Sequence, residues 1–241
     1  MVTVDERDGV AVVTLRNGPV NVLDLETVRA LTETLNDLRD AAVVVTGAGR
    51  AFSAGVDLKR LVEGGAPYTR EFVLALNEAF HAVFDHPRPV VAAVNGHAIA
   101  GGCVIAASCD YRFMSAGTIG VTELLVGVPF PASALEAIRF VAGTATAQLV
   151  LTGRTLRPDD ALAAGLVDEV VAPENLLDAA VARAAALAAI PRTSFAVTKD
   201  ALRADARRLM AAGSTEEIIE VWSSDEIRTS ITAYLERLAA R

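Results

Sequence analysis

Apolar positions recur with two different periods along this chain. Residues 10–15 alternate loosely and are β-branched, which predicts a strand. Asn17-Gly18-Pro19 breaks it. Asp24 is placed to N-cap a helix over 25–39, with Leu31, Leu35 and Leu38 on its buried face. Residues 43–46 form an apolar run ended by Gly47-Ala48-Gly49, the pattern of a buried strand. Strand, helix and strand in close succession predict an α/β architecture.

The same design returns further on. Asp57 is placed to cap a short helix reaching Val62, and 63–67 (Glu-Gly-Gly-Ala-Pro) predicts a mobile loop. Helical spacing resumes over 69–85 and stops before Pro87 and Pro89, and an apolar strand over 90–94 leads into Asn95-Gly96. Gly101-Gly102 then opens an apolar run without proline, the start of a buried helix. Amide groups at such a start have no partner within the helix, and the macrodipole turns its positive end there. Short strands are predicted over 111–114, 118–121 and 167–171, and helices over 134–140, over 144–151 and from Pro158 to Gly165. From Pro173 on, the pattern is helical throughout. The chain therefore divides into an α/β body, 1–172, and a helical tail, 173–241, whose apolar faces must pack on the body or on another subunit.

Composition narrows the chemistry. Of 241 residues, 52% are hydrophobic, enough for a large core, and the net charge is −8, which argues against nucleic acid as the main partner. Cys103 and Cys109 lack a CxxC partner and read as reduced core residues. His81, His86 and His97 form no metal-binding motif, so no metal is expected. The N-terminus has no signal-peptide pattern and no uninterrupted apolar run approaches the roughly 20 residues of a membrane span. The expectation is a soluble cytoplasmic protein.

Two segments, 43–62 and 90–108, share one plan: a strand, a small-residue turn, a helix start. Side by side, two such turns would present two backbone N–H groups to one oxygen, an oxyanion hole. Either turn alone is common chain reversal. Four motifs in order then carry a resemblance: AFSAGVDLK, NGHAIAGGCVIAASCDYR, TELLVGVP and TGRTLRPDDALAAGLVDEVV. Together they resemble the crotonase (enoyl-CoA hydratase/isomerase) superfamily over about residues 9–205, more weakly in the tail.

The resemblance implies a spiral of ββα units and a C-terminal helical region that makes trimers or dimers of trimers. It implies an acyl-CoA thioester as ligand, with coenzyme A part of the substrate and no separate cofactor. Carried over by position, the oxyanion donors are the N–H groups of Val56 and Gly101, and the acid/base is Glu123. Ala54 and Leu58 fall where the family grips CoA, and Lys59 is placed for a CoA phosphate or, equally well, for solvent. Family hydratases use two glutamates to activate water. Val104 occupies the position of one of them, and no acid lies between Asp85 and Asp110. Val104 is accordingly expected to contact substrate without doing chemistry.

A single carboxylate suffices to move a proton within the substrate. The first expectation is therefore an isomerase of fatty-acid β-oxidation, converting 3-enoyl-CoA to trans-2-enoyl-CoA. A hydratase working with one glutamate, or with an acid such as Asp57 or Glu136, is the alternative; a malonyl-type decarboxylase and a catalytically silent CoA-thioester-binding protein are the others. Asp110 and His97 read as structural, and Trp222 as a cover for the acyl pocket or a subunit contact.

Overall fold

The computed structural model describes residues 2–240. It opens with a hairpin, β1 (Val2–Arg7) antiparallel to β2 (Val10–Leu15). Asp8 and Gly9, at φ 50° and 74°, make the two-residue turn. β3 (Val22–Leu23) and α1 (Leu25–Asp37) complete the first unit. The second is β4 (Ala42–Gly47), β5 (Ala51–Ser53), β6 (Gly55–Val56) and α2 (Leu58–Phe84). The third is β7 (Val90–Val94), β8 (His97–Ile99) and α3 (Gly101–Ser108). The fourth is β9 (Tyr111–Met114), β10 (Ile119–Gly120) and α4 (Glu123–Val126). There follow α5 (Ala132–Ala142), α6 (Thr146–Thr152), β11 (Thr155–Leu156), α7 (Pro158–Ala163) and β12 (Glu169–Val170). The remainder is α8 (Leu176–Ala188), α9 (Arg192–Ala212), α10 (Thr215–Trp222) and α11 (Asp225–Ala239).

The leading strands assemble into a six-stranded sheet, β1-β2-β4-β7-β9-β12, parallel except for β1. The second strands form a four-stranded sheet, β11-β10-β8-β5, and β3 pairs with β6. This is the mixed α/β spiral of strand–strand–helix units that the motifs imply. The central strands of the six-stranded sheet, β2, β4, β7 and β9, are buried on both faces. Val13, Val43, Val45, Ala92 and Val94 face the main core, while Val12, Val44, Val91, Ala93 and Phe113 face α8. That is the two-residue period of a strand with an apolar layer on each side.

Several local rules act as the sequence predicts. Asp24 accepts the Thr27 N–H at 2.8 Å and Asp57 accepts the Arg60 N–H at 3.1 Å, so both helices begin on capping aspartates. Other elements differ. Residues 63–67 are not a loop: α2 runs through them and bends at Gly65 (φ 61°, ψ −162°). The bend is held by Tyr68, whose hydroxyl accepts the Leu25 N–H at 3.2 Å and whose ring lies under the Arg60 guanidinium. Leu38 is the helix cap and only partly buried. The stretch Ala132–Thr152 is long and apolar enough to cross a membrane by composition. Here it is α5 and α6, with Ala134, Ala137, Ile138 and Leu149 packed in the core.

The tail folds back onto the body. α8 covers the outer face of the six-stranded sheet, α9 packs on α5, and α10 and α11 pack on α2. The α9 contact is pinned by Asp110, which accepts from Lys199 Nζ at 2.8 Å, Arg203 Nη2 at 3.0 Å and the Val90 N–H at 2.8 Å. Burial lowers the Lys199 ammonium's affinity for its proton, and the Asp110 carboxylate opposes that. The geometry bears out Asp110 as structural. Asp110→Ala leaves two buried cations without their counter-charge and is expected to cost about 3–5 kcal/mol, read as a lower urea midpoint. A loss below about 1 kcal/mol would contradict this reading.

Candidate functional site

Two backbone turns touch at the heart of the molecule. The first joins β5 to β6. Ser53 Oγ donates to the Asn21 carbonyl at 2.7 Å and accepts the Gly55 N–H at 3.1 Å, which fixes the turn from within. Gly55 has φ 82°, and a Cβ there would stand 2.6 Å from the Ile99 oxygen and 3.3 Å from the Gly101 nitrogen. Only glycine satisfies both the conformation and the approach. The second turn joins β8 to α3. Its pivot, Ala100, is held at φ 51°, ψ −122°, a costly conformation for a residue with a side chain. The Ala100 N–H donates to the Gly120 carbonyl at 2.9 Å, tying this turn to β10. Gly102 lets α3 settle on β5, since a Cβ there would meet the Ser53 oxygen at 2.5 Å.

The direction of the amides follows from strand pairing. Asp57 N–H donates to the Leu23 carbonyl at 3.0 Å across the β3–β6 pair. N–H groups alternate in direction along a strand, so the Val56 N–H points away from β3. Gly101 begins α3, where the first amides lack helical partners.

Glu123 is the first residue of α4, delivered by the two residues after β10. The residue is half-buried, but its Oε2 is out of solvent and has no hydrogen-bond partner among the described residues. Burial pushes its carboxyl from an ordinary 4.5 up to about 7, against the weaker pull of its own N–H and that of Thr122. The buried Cys103 thiol behind it is pushed up by burial first and by the Glu123 charge second, which argues against a nucleophile.

Turns and carboxylate meet in a cavity of about 400 Å³. Ala54, Val56, Leu58, Lys59 and Glu123 all line it. Gly101 lies just behind, against the Val56 side chain and Leu23. Val104 is different: it is fully buried and is not a wall of the cavity, so a direct substrate contact is corrected. It sits one turn into α3, every residue of which is buried, and its short side chain is spent in the core. Lys59 is exposed at the mouth, 3.7 Å from Glu63. Asp57 also lines the cavity, but its carboxylate caps α2. Glu136 is elsewhere, buried and 2.5 Å from Arg139 Nη1. His97 is exposed, with Nδ1 3.0 Å from Thr118 Oγ1. Among the described residues, no group of three or more His, Cys, Asp or Glu is arranged to hold a metal.

The far wall is shared between the TELLVGVP motif and the tail. Val126 and Val128 form part of it, and Trp222, Tyr234, Leu235 and Leu238 from the tail form the rest. Trp222 is buried and donates its indole N–H to the Pro129 carbonyl at 3.0 Å, so it covers the cavity. The helical period of α11 marks the apolar face of Tyr234 and Leu238; nothing in it says what that face meets.

Residues 5–241 match the sequence model of the family described as enoyl-CoA hydratase/isomerase. The match thus extends through the tail, where the motifs carry little. A short-chain-enoyl-CoA hydratase of Clostridium acetobutylicum is 32% identical, with 96% of this chain and 94% of that protein covered. The human mitochondrial enoyl-CoA delta isomerase 1 is 30% identical over 99% of this chain and 83% of its own length. The crystal structure of human mitochondrial delta3-delta2-enoyl-CoA isomerase superposes with a TM-score of 0.92 at 30% identity, covering 99% of this chain and 98% of that one.

The buried carboxyl has a measurable consequence. Between pH 4.5 and about 7 the folded protein holds a proton that the unfolded chain has released, so stability falls as pH rises through that window. Glu123→Gln removes this loss. The variant is expected to match wild type near pH 4 and to exceed it by roughly 2–4 kcal/mol at pH 8, in urea unfolding at both pH values. A difference independent of pH would contradict the burial argument.

Proposed function

The chain belongs to the enoyl-CoA hydratase/isomerase family, and we propose that within it this enzyme moves the double bond of a 3-enoyl-CoA to the trans-2 position. The observation that carries the proposal is Glu123: it lines the cavity, one of its carboxylate oxygens is out of solvent and has no hydrogen-bond partner among the described residues, and the other acid lining the cavity, Asp57, is occupied as a helix cap.

The thioester carbonyl oxygen accepts from the Val56 and Gly101 N–H groups. Ionised Glu123 removes a proton from C2, the C2–H electrons move into the C1–C2 bond, and the carbonyl becomes an enolate. Backbone donors already in place stabilise that charge without reorganising. The enolate electrons then form the C2–C3 double bond. The former C3–C4 double bond takes the proton back from Glu123 at C4. A carboxyl near 7 suits both half-reactions, being a competent base when ionised and a competent acid when protonated. Ala54 and Leu58 flank the pantetheine arm, and Lys59 reaches a CoA phosphate at the mouth.

Hydration asks for more. Water must be held and activated on one face of the double bond. The position that supplies the second glutamate in family hydratases is Val104, buried in the core. Oε2 of Glu123 is itself out of solvent and without a hydrogen-bond partner among the described residues. A malonyl-type substrate would bring a second carboxylate to a wall of Val126, Val128, Trp222, Tyr234, Leu235 and Leu238, which offers no cation. Those residues favour a plain hydrocarbon acyl chain. The exposed apolar side chains Leu151, Val197 and Leu202, at 72%, 63% and 67% exposure, support assembly into a trimer or dimer of trimers.

Glu123→Gln is expected to lower kcat for 3-enoyl-CoA about 10³-fold or more with the fold intact, and wild-type kcat/KM to rise with pH through about 7. Wild type is expected to leave crotonyl-CoA largely unhydrated. Rapid loss of the crotonyl-CoA chromophore would favour the hydratase reading, as the Clostridium relative's name does. No turnover of either substrate with CoA-thioester binding retained would make the protein a silent binder.

A further inference from the structure

The helix that carries Glu123 cannot hold itself. α4 has four residues and no side-chain N-cap, far below the length at which a helix is stable alone. Its carbonyls are bound as follows: Glu123 O accepts Val128 N–H at 3.0 Å and Leu124 O accepts Gly127 N–H at 3.2 Å. The Val126 carbonyl accepts from the tail, where Ser230 Oγ donates to it at 2.7 Å across 104 residues of sequence. The fit is close. Gly127 ends α4 at φ 88°, and a Cβ there would stand 2.5 Å from Ser230 Oγ and 3.1 Å from Ser230 Cβ.

α11 is in turn firmly seated. Ser224 caps it through the Ile227 N–H at 3.3 Å, and Ile227 and Ile231 are buried beside Ser230. Tyr234 and Leu238 follow Ser230 at intervals of four along the same face and line the cavity. One helix face thus touches both the segment bearing the carboxylate and the wall of the cavity.

We propose that Ser230 is a positioning residue, which holds Glu123 over the cavity by anchoring the Val126 carbonyl and so makes the tail part of the catalytic apparatus. The proposal deepens the isomerase reading, but its first readout is independent of any reaction. Without the hydroxyl, α4 loses its hydrogen bond to α11 and water gains access to Glu123.

Two measurements test this on the full-length chain. The first is a double-mutant cycle on stability. The pH-dependent gain of Glu123→Gln over wild type, measured between pH 5 and pH 8, is expected to shrink in a Ser230→Ala background, because a hydrated carboxyl behaves more like an ordinary one. The second is kinetic. Ser230→Ala is expected to lower kcat about 10-fold or more with KM changed less than 2-fold, since a displaced catalytic group costs rate rather than binding. The pH at half-maximal rate should move down from about 7 toward 4.5. Ser230→Cys, which keeps a weak donor, should fall between. Thr232→Ala is the control: that exposed hydroxyl donates to Arg228 O within α11, and its loss should leave both readouts unchanged. An unchanged stability cycle would overturn the proposal whatever the activity. An inactive wild type with a shrunken cycle would sink the isomerase reading and leave the positioning role standing. If Ser230→Ala does not fold, the cycle and kinetics of Ser230→Cys decide.

Discussion

The site depends on two backbone turns approaching more closely than side chains allow. Gly55 lies against the Ile99 carbonyl and the Gly101 nitrogen at separations that a Cβ would close to 2.6 and 3.3 Å. Parallel pairing of β5 with β8 brings the turns into register. The β3–β6 pair sets which way the amides face, and Ala100 is held in a strained conformation by its bond to Gly120. The spiral of strand–strand–helix units brings together turns that are about 45 residues apart in sequence. The oxyanion cradle we propose is made of main chain, and so is indifferent to whether residue 56 is valine or alanine.

Two buried carboxylates show how the same chain treats charge in opposite ways. Asp110 receives two cations and a backbone N–H and serves as a rivet between α9 and the sheet. Glu123 has an oxygen with no donor among the described residues, and burial raises its pKa to about 7. A shift of that size costs roughly 3 kcal/mol at neutral pH, a large part of a typical domain's net stability. A protein keeps such a group only where the surroundings enforce it. Here they are Val121, Val126 and Val128 from its own segment and Trp222 from the tail.

Much of this was legible in the sequence for local reasons. Asp24 and Asp57 announced helix starts, glycine pairs announced turns, and motif order singled out Glu123 and Val56, which line one cavity, with Gly101 just behind. What escaped did so for physical reasons too. β1 is a mostly exposed edge strand, charged over its second half, with only Val2 packed against the core, although Asp8-Gly9 is a hairpin signal. The glycines at 64–65 read as a loop, but Tyr68 and Arg60 hold the chain to a bend inside a helix. Val104 informs through what it lacks, and only burial shows that it is core rather than wall. The sequence left Trp222 between pocket cover and subunit contact; the contributions of Ser230 and Tyr234 join residues about a hundred positions apart, and no local pattern encodes such contacts.

The central claim is that one carboxylate, shut away from water, carries a proton from C2 to C4. Turnover of a 3-enoyl-CoA dideuterated at C2, in ordinary water and analysed at low conversion, tests it most directly. The account predicts that part of the deuterium removed from C2 is found at C4 of the 2-enoyl product. Complete loss of that label to solvent, with C4 carrying only hydrogen, would contradict it.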